Sequence, residues 1–275
     1  MQIDLHTHST ASDGRLAPAD LVARAAEFGV EVLALTDHDG TDGLDEARQS
    51  ADELGIRFIN GIELSVTWDK RTVHIVGLNI DPEYVPLKAG IQGLQDFRET
   101  RAVEMAEKLE KSGIKGAYEG AKRQSGGNML GRMHFANFLV EAGYSKNVRS
   151  VFKHYLVNNK PGHVTGDWAS LEDVVSWITG SGGVAVIAHP ARYKLTRTKL
   201  RKLLKDFVTA GGQAIEVVSG SHDVNEMKTM ACHADDFDLY ASSGSDFHDP
   251  AFPWIKLGRL PELPAKCKPV WDLFL

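Results

Sequence analysis

Eleven histidines lie along the 275 residues, and six of them fall at or beside the ends of strand-like runs. The first run ends in His6-Thr7-His8, and Asp13 follows five residues later. Others end in Thr36-Asp37-His38-Asp39, in Gly61-Ile62-Glu63, in Ala188-His189-Pro190 and in Ser245-Asp246-Phe247-His248, while His74 opens the run after Glu63. A His-x-His pair alone is commonly incidental. Residues two apart on a strand point to one side, so His6 and His8 aim together. Imidazoles and carboxylates crowded at one place are costly unless something uses the lone pairs and neutralises the acids. Divalent metal ions do both, and a donor set without thiolate suits Mn²⁺, Fe²⁺ or Zn²⁺. Metal held there could polarise a substrate oxygen and acidify a bound water for hydrolysis. Asp37 and Asp39 are not needed as ligands; they are expected to orient His38 or a loop, with Asp39 also a candidate helix N-cap.

These residues need elements that bring them to one rim. The first 80 residues alternate strand and helix signals. Pro18 opens the helix "APADLVARAAEFG", and Thr41 is a plausible N-cap for "TDGLDEARQSADELG", which Gly55 stops. The runs "RFINGIELSV" and "RTVHIVGLNI" are joined only by Trp68-Asp69-Lys70-Arg71, too short for a parallel crossover, so they must form an antiparallel hairpin. Glu63 and His74 then share a rim. Residues 84–159 read as helices, among them "IQGLQDFRETRAVEMAEKLEKSG", "GRMHFANFLVEAG" and "NVRSVFKHYLV". Strand–helix alternation then resumes with "VAVIAHP", "AIEVVSG" and "LYASSGSDFH". Seven strands in βα order predict an α/β fold: an incomplete TIM-like barrel (residues 1–83 and 160–275) with an inserted α-helical domain (residues 84–159). Active sites of such barrels form at the C-terminal strand ends, where these donors lie.

Composition is that of a globular protein, 43% apolar and 25% charged. The longest apolar runs are strand-sized, so no membrane span is expected. With a strand read from residue 2 or 3 no leader is expected, and Cys232 and Cys267 make no disulfide framework; a reducing cytoplasm is the expected location. Net charge is −6, spread unevenly: residues 1–97 carry −10 and residues 98–160 carry +6. Seven bases and no acid lie between Arg192 and Lys205. These basic stretches suit an anionic small substrate, and the chain as a whole does not read as a duplex-DNA binder.

The series HxH with Asp, TDHD, GIE, a strand histidine, AHP and SDFH resembles the motif set of the PHP (polymerase and histidinol phosphatase) family, over residues 1–80 and 180–250. The resemblance implies a distorted seven-stranded barrel with a metal cluster of two or three divalent ions, manganese first and iron or zinc as alternatives. It places His6, His8, Glu63 and Asp246 on one metal. Glu63 bridges to a second held by His74 and His189, and Asp13, His38 and His248 hold a third. Some members carry histidine where this chain has Asp13, which could loosen or change that third site.

The helical block, through "GRMHFANFLVEAGY", "VFKHYL", "KPGHV" and "HPARY", resembles a subgroup acting on 3′,5′-nucleoside bisphosphates and on short RNA. That implies removal of the 3′-phosphate from a nucleoside 3′,5′-bisphosphate such as adenosine 3′,5′-bisphosphate. A second phosphate needs a donor that keeps its charge, and Arg132, His134 and Arg192 are the candidates. Asn137, Lys160 and His222 are weaker ones. The alternative is a 5′→3′ exoribonuclease on short 5′-phosphorylated RNA. A histidinol-phosphate phosphatase is disfavoured by the insertion, and an inert binding module by the nine intact ligand positions. The expected partners are a small nucleotide or a short oligoribonucleotide, with no membrane and no obligate protein partner.

Overall fold

A computed structural model of the chain describes residues 1–126, 129–251 and 255–275. Seven strands lie in one sheet in chain order: β1 (Ile3–Asp4), β2 (Val32–Leu35), β3 (Arg57–Trp68), β4 (Arg71–Leu78), β5 (Val184–Ile187), β6 (Ala214–Ser219) and β7 (Tyr240–Gly244). The sheet curls until its edges meet: Leu5 N–H donates to Ser243 O at 3.0 Å and Asp246 N–H to His6 O at 2.8 Å. It is a nearly closed barrel. Only β4 runs against its neighbours. Trp68 pairs with Arg71, leaving Asp69 and Lys70 as a two-residue loop with φ of 46° and 60°, the geometry of a tight hairpin turn.

Alternation along the strands sorts the side chains. Ile3, Val32, Ala34, Ile59, Val76, Val184, Val186 and Ala214 fill the barrel interior, while Leu33, Ile187 and Ile215 face the surrounding helices. Glu63 shares the parity of Ile59, and Glu216 that of Ala214, so each carboxylate is turned inward by its own strand. Helices α1 (Pro18–Glu27) and α2 (Leu44–Leu54) cover one side of the barrel. Pro18 opens α1 as expected, but α2 is preceded by Gly43, whose α-region backbone enters the helix without a side-chain cap; Thr41 contributes only its carbonyl, to Leu44 N–H. Helices α7 (Leu171–Gly180), α8 (Arg197–Thr209) and α9 (Val224–Asp236) cover the rest.

Between β4 and α7 runs a helical block: α3 (Val85–Lys111), α4 (Ala117–Gln124), α5 (Arg132–Glu141), and α6 (Val148–Val151), which continues as a π-turn over Phe152–Leu156. Helix α3 spans about 40 Å and serves two cores. Its first turns set Leu87, Ile91 and Leu94 on the barrel core. Its last turns set Ala102, Met105, Ala106 and Leu109 into a separate core with Phe135, Leu139 and Leu156. The second core therefore starts inside α3, not at residue 84. Helix α4 has no counterpart in the sequence reading, because it buries only Ala117, Gly120 and Ala121 and so carries no large apolar stripe.

Candidate active site

Glu63 stands at the centre of the barrel mouth, fully buried. Its Oε1 lies 3.0 Å from His74 Nδ1 and 3.0 Å from His189 Nε2. Its Oε2 lies 2.9 Å from His38 Nδ1 and 3.4 Å from both His6 Nε2 and His8 Nε2. The hairpin explains part of this: β3 and β4 pair Ser65 with His74, which brings that ring beside Glu63. On the far side, Asp246 Oδ1 is 3.3 Å from His8 Nε2, and Asp13 Oδ1 is 3.2 Å from His248 Nε2. All nine sequence-expected ligand residues are thus gathered in one place.

They form four overlapping donor groups: His6, His8 and Asp246; His6, Glu63 and His189; His38, Glu63 and His74; and His8, Asp13, His38 and His248. His38 therefore reaches two groups, and His8 joins the Asp13 corner. The donor chemistry fits metal. His6 Nε2 and His8 Nε2 face each other at 3.1 Å, and Glu63 Oε2, Asp13 Oδ1 and His38 Nδ1 are buried without a well-directed hydrogen bond. Imidazole and carboxylate donors converging this way, unpaired, match hard-to-borderline divalent ions.

The electrostatics show how strained the donors are as bare groups. Burial disfavours the Glu63 carboxylate, yet His74, His38 and His6 hold it well below the usual carboxylate range. Burial opposes the charged form of His248 too, but Asp13 and Asp246 raise it to about 9. Burial and the neighbouring His248 instead lower His8 to about 3. Backbone strain gathers here as well: Asp39, His189 and Asp246, each at a strand end, have φ of 44°, 29° and 55°. Non-glycine residues occupy that region at an energetic cost, and they cluster where a side chain must be aimed.

Glu216 is the functional residue that the ligand motifs do not contain. Its Oε1 lies 2.6 Å from His6 Nδ1, and its Oε2 accepts from His189 N–H. A carboxylate on Nδ1 keeps the proton there and leaves the Nε2 lone pair for the cluster. The signal was present, an acid inside the otherwise apolar strand "AIEVVSG". Asp37 accepts from Ser9 N–H at 2.8 Å, Ser9 Oγ at 2.7 Å and Ser12 Oγ at 2.5 Å, so it fixes the loop carrying Asp13. Asp39 is no N-cap. It accepts from Ser65 N–H at 2.7 Å and pairs with Arg98 of α3 at 2.5 Å, tying the second strand's loop to the helical block.

The cluster opens into a cavity of about 450 Å³ that is also lined by Arg98, Arg101, Arg132 and Arg192, with Met133 and Phe152. Arg192 donates to Asp246. Burial, then Arg132 and Arg98, push the Arg101 guanidinium down to about 9. A guanidinium does not release its proton near neutrality, so Arg101 stays a charged, partly buried donor beside two other cations. Burial and Arg98 likewise lower Arg132.

The remaining candidate substrate-binding residues lie elsewhere. His134 does not line this cavity among the described residues; its Nδ1 accepts from Gly131 N–H at 3.0 Å, capping α5 from inside. His222 is held by Val217 O and Ala191 N–H, behind the turn that carries Arg192, and so supports that turn. Lys160 is exposed and Asn137 half-buried, and neither lines the cavity among the described residues. The two arginines missed, Arg98 and Arg101, stand one helical turn apart in "FRETRAV".

Comparison with known proteins agrees with the geometry. Residues 4–218 match the PHP domain. The chain is 51% identical over 270 residues to a 3′,5′-nucleoside bisphosphate phosphatase of Chromobacterium violaceum, covering 98% of this chain and 95% of that one. It is 45% identical over 271 residues to a 5′-3′ exoribonuclease of Haemophilus influenzae, covering 98% of each. A solved structure of an amidohydrolase from Chromobacterium violaceum, with bound sulfate, superposes with a TM-score of 0.95 at 50% identity, over 99% of this chain and 96% of that one. No described helix is long and apolar enough to cross a membrane.

Proposed function

The chain belongs to the PHP domain family, and from that premise we propose that it is a metal-dependent phosphoesterase that removes the 3′-phosphate of nucleoside 3′,5′-bisphosphates. The products are a 5′-nucleotide and inorganic phosphate. One observation supports the reading: a single cavity is lined both by seven of the nine donors and by four arginines, two of which, Arg101 and Arg132, have no carboxylate ion pair among the described residues. A substrate with two phosphates matches a cavity that combines a metal-type donor cluster with additional arginines. The likeness to the bisphosphate phosphatase points the same way.

In this proposal the metal ligands are His6, His8, Asp13, His38, Glu63, His74, His189, Asp246 and His248, shared among two or three divalent ions, with manganese first and iron or zinc as alternatives. Bound ions would supply Lewis acidity toward the phosphoryl oxygens and acidify water enough for attack near neutral pH. The chain's own residues do the rest. Glu216 sets the tautomer of His6, and Asp37 holds the Asp13 loop closed. Because Arg192 pairs with the donor Asp246, it is assigned to the reacting phosphate and not, as expected from sequence, to the second one, which Arg101 and Arg132 hold. Two free cysteines and a nucleotide substrate suit a reducing cytoplasm.

The likeness to an exoribonuclease supports a second reading, in which the same arginines take the 5′-phosphate of a short RNA. One assay separates the readings. Manganese-reconstituted protein is given adenosine 3′,5′-bisphosphate, 3′-AMP, histidinol phosphate and a 5′-phosphorylated RNA trimer. Preferred turnover of the bisphosphate to 5′-AMP, abolished by chelation, is the expected result. Equal turnover of 3′-AMP would remove the need for a second phosphate, and faster mononucleotide release from the trimer would favour the exonuclease.

A further inference from the structure

Arg98 and Arg101 both project toward the cavity from the point where α3 passes from the barrel to the helical block, but they are held differently. Arg98 has a carboxylate partner, Asp39. Arg101 has none among the described residues; it donates to Val164 O at 3.3 Å and lies beside an indole. That indole is Trp168, on the segment returning from the helical block to the barrel. Its ring takes Arg98 Cζ at 5.0 Å and Arg101 Cζ at 5.5 Å.

Trp168 is itself firmly built in. Its backbone N–H donates to Thr67 Oγ1 at 2.8 Å and its Nε1–H to Thr72 Oγ1 at 3.1 Å, both on the β3–β4 hairpin. Phe97 meets it edge-on at 4.8 Å. Gly166 leaves it room, since a Cβ there would stand 2.3 Å from the indole nitrogen.

Like-charged guanidiniums one turn apart repel and would swing out to water. An acidic partner would hold Arg101 in place but cancel its charge. An aromatic face attracts the cation through its quadrupole and leaves the net charge intact. We propose that Trp168 is the positioning residue of the anion subsite, holding Arg101 with Arg98 against the cavity without neutralising Arg101, and so setting the preference for substrates with a second phosphate. This rests on the bisphosphate reading above.

The test compares kcat and KM for adenosine 3′,5′-bisphosphate and for 3′-AMP. Trp168→Leu should raise KM for the bisphosphate by about tenfold, the scale of a partly desolvated cation–π contact, with kcat nearly constant and 3′-AMP turnover changed by less than about threefold. Trp168→Phe keeps an aromatic face and should recover most of the loss. In an Arg101→Gln background, Trp168→Leu should add less than about twofold, because Arg98 is still held by Asp39 and the guanidinium that depends on Trp168 is gone. Should Trp168→Leu fold poorly, site-specific replacement of Trp168 by progressively fluorinated tryptophans weakens the π face at nearly constant shape. KM for the bisphosphate should then climb with each fluorine. A flat series, or equal losses for both substrates, would overturn the role of Trp168 while leaving the bisphosphate reading intact. A wild-type protein that turns over both substrates equally would instead defeat that reading, and the role of Trp168 with it.

Discussion

His6 and Glu216, 210 residues apart in the chain, meet at 2.6 Å through His6 Nδ1 and Glu216 Oε1, both buried beneath the barrel mouth. A carboxylate in that position fixes which imidazole nitrogen keeps its proton, and so which lone pair faces the cluster.

Glu216→Gln preserves shape but not charge. It should weaken metal binding by about 10- to 100-fold, the range for partners of metal-bound histidines, while circular dichroism stays unchanged. Titration against a competing chelator measures this. Unaltered affinity would mean that His6 needs no help from Glu216.

Metal affinity should rise with pH. In chelated protein, burial disfavours charge on His248, but Asp13 and Asp246 raise it to about 9, and against the same opposing burial Glu63 and Asp13 raise His38. A raised imidazole carries its proton at neutral pH, and a metal must displace that proton to reach the lone pair. Burial first, and then neighbouring imidazoles, lower His8 to about 3; burial also lowers His74 to about 4. These two release nothing. Calorimetric titration at pH 7 in buffers of different ionisation heat should therefore show net proton release, and affinity should climb toward pH 9. Proton uptake on binding would contradict it.

The Asp39–Arg98 pair should act as a structural pin between the barrel and the helical block. Both side chains are at least nine-tenths buried. Removing one partner strands the other charge, so Asp39→Asn or Arg98→Met should each cost about 3–5 kcal/mol in urea unfolding. The double variant should cost less than the sum. Additive losses would show that the two charges do not act as a pair.

Gly14 should be required for the Asp13 corner. A Cβ at Gly14 would stand 2.4 Å from His8 O and 2.6 Å from His8 C, both backbone atoms that cannot yield cheaply. Gly14→Ala should cost about 1–3 kcal/mol and push the loop outward, lowering the bound metal by one equivalent in elemental analysis. Full metal content with wild-type stability would show that the loop adapts.

The strands, the antiparallel hairpin and all nine candidate donors could be read from the sequence, because each donor lies beside a run with its own period and its own turn signals. The Asp69-Lys70 turn is short enough to dictate the direction of β4, and that direction alone brings His74 to Glu63. Partnership could not be read that way. Strand parity turns Glu216 inward, but closure of β7 onto β1 decides that the residue it meets is His6. Arg98 and Arg101 look like ordinary bases on a charged helix until α3 docks across the mouth and Trp168 returns beneath them. His134 reads as a phosphate donor until its ring is seen to cap its own helix. Local pattern fixes which chemistry each residue offers. Long-range packing decides which groups share a lone pair or a charge, since those energies depend on separations of a few ångströms between segments that only the closed barrel brings together.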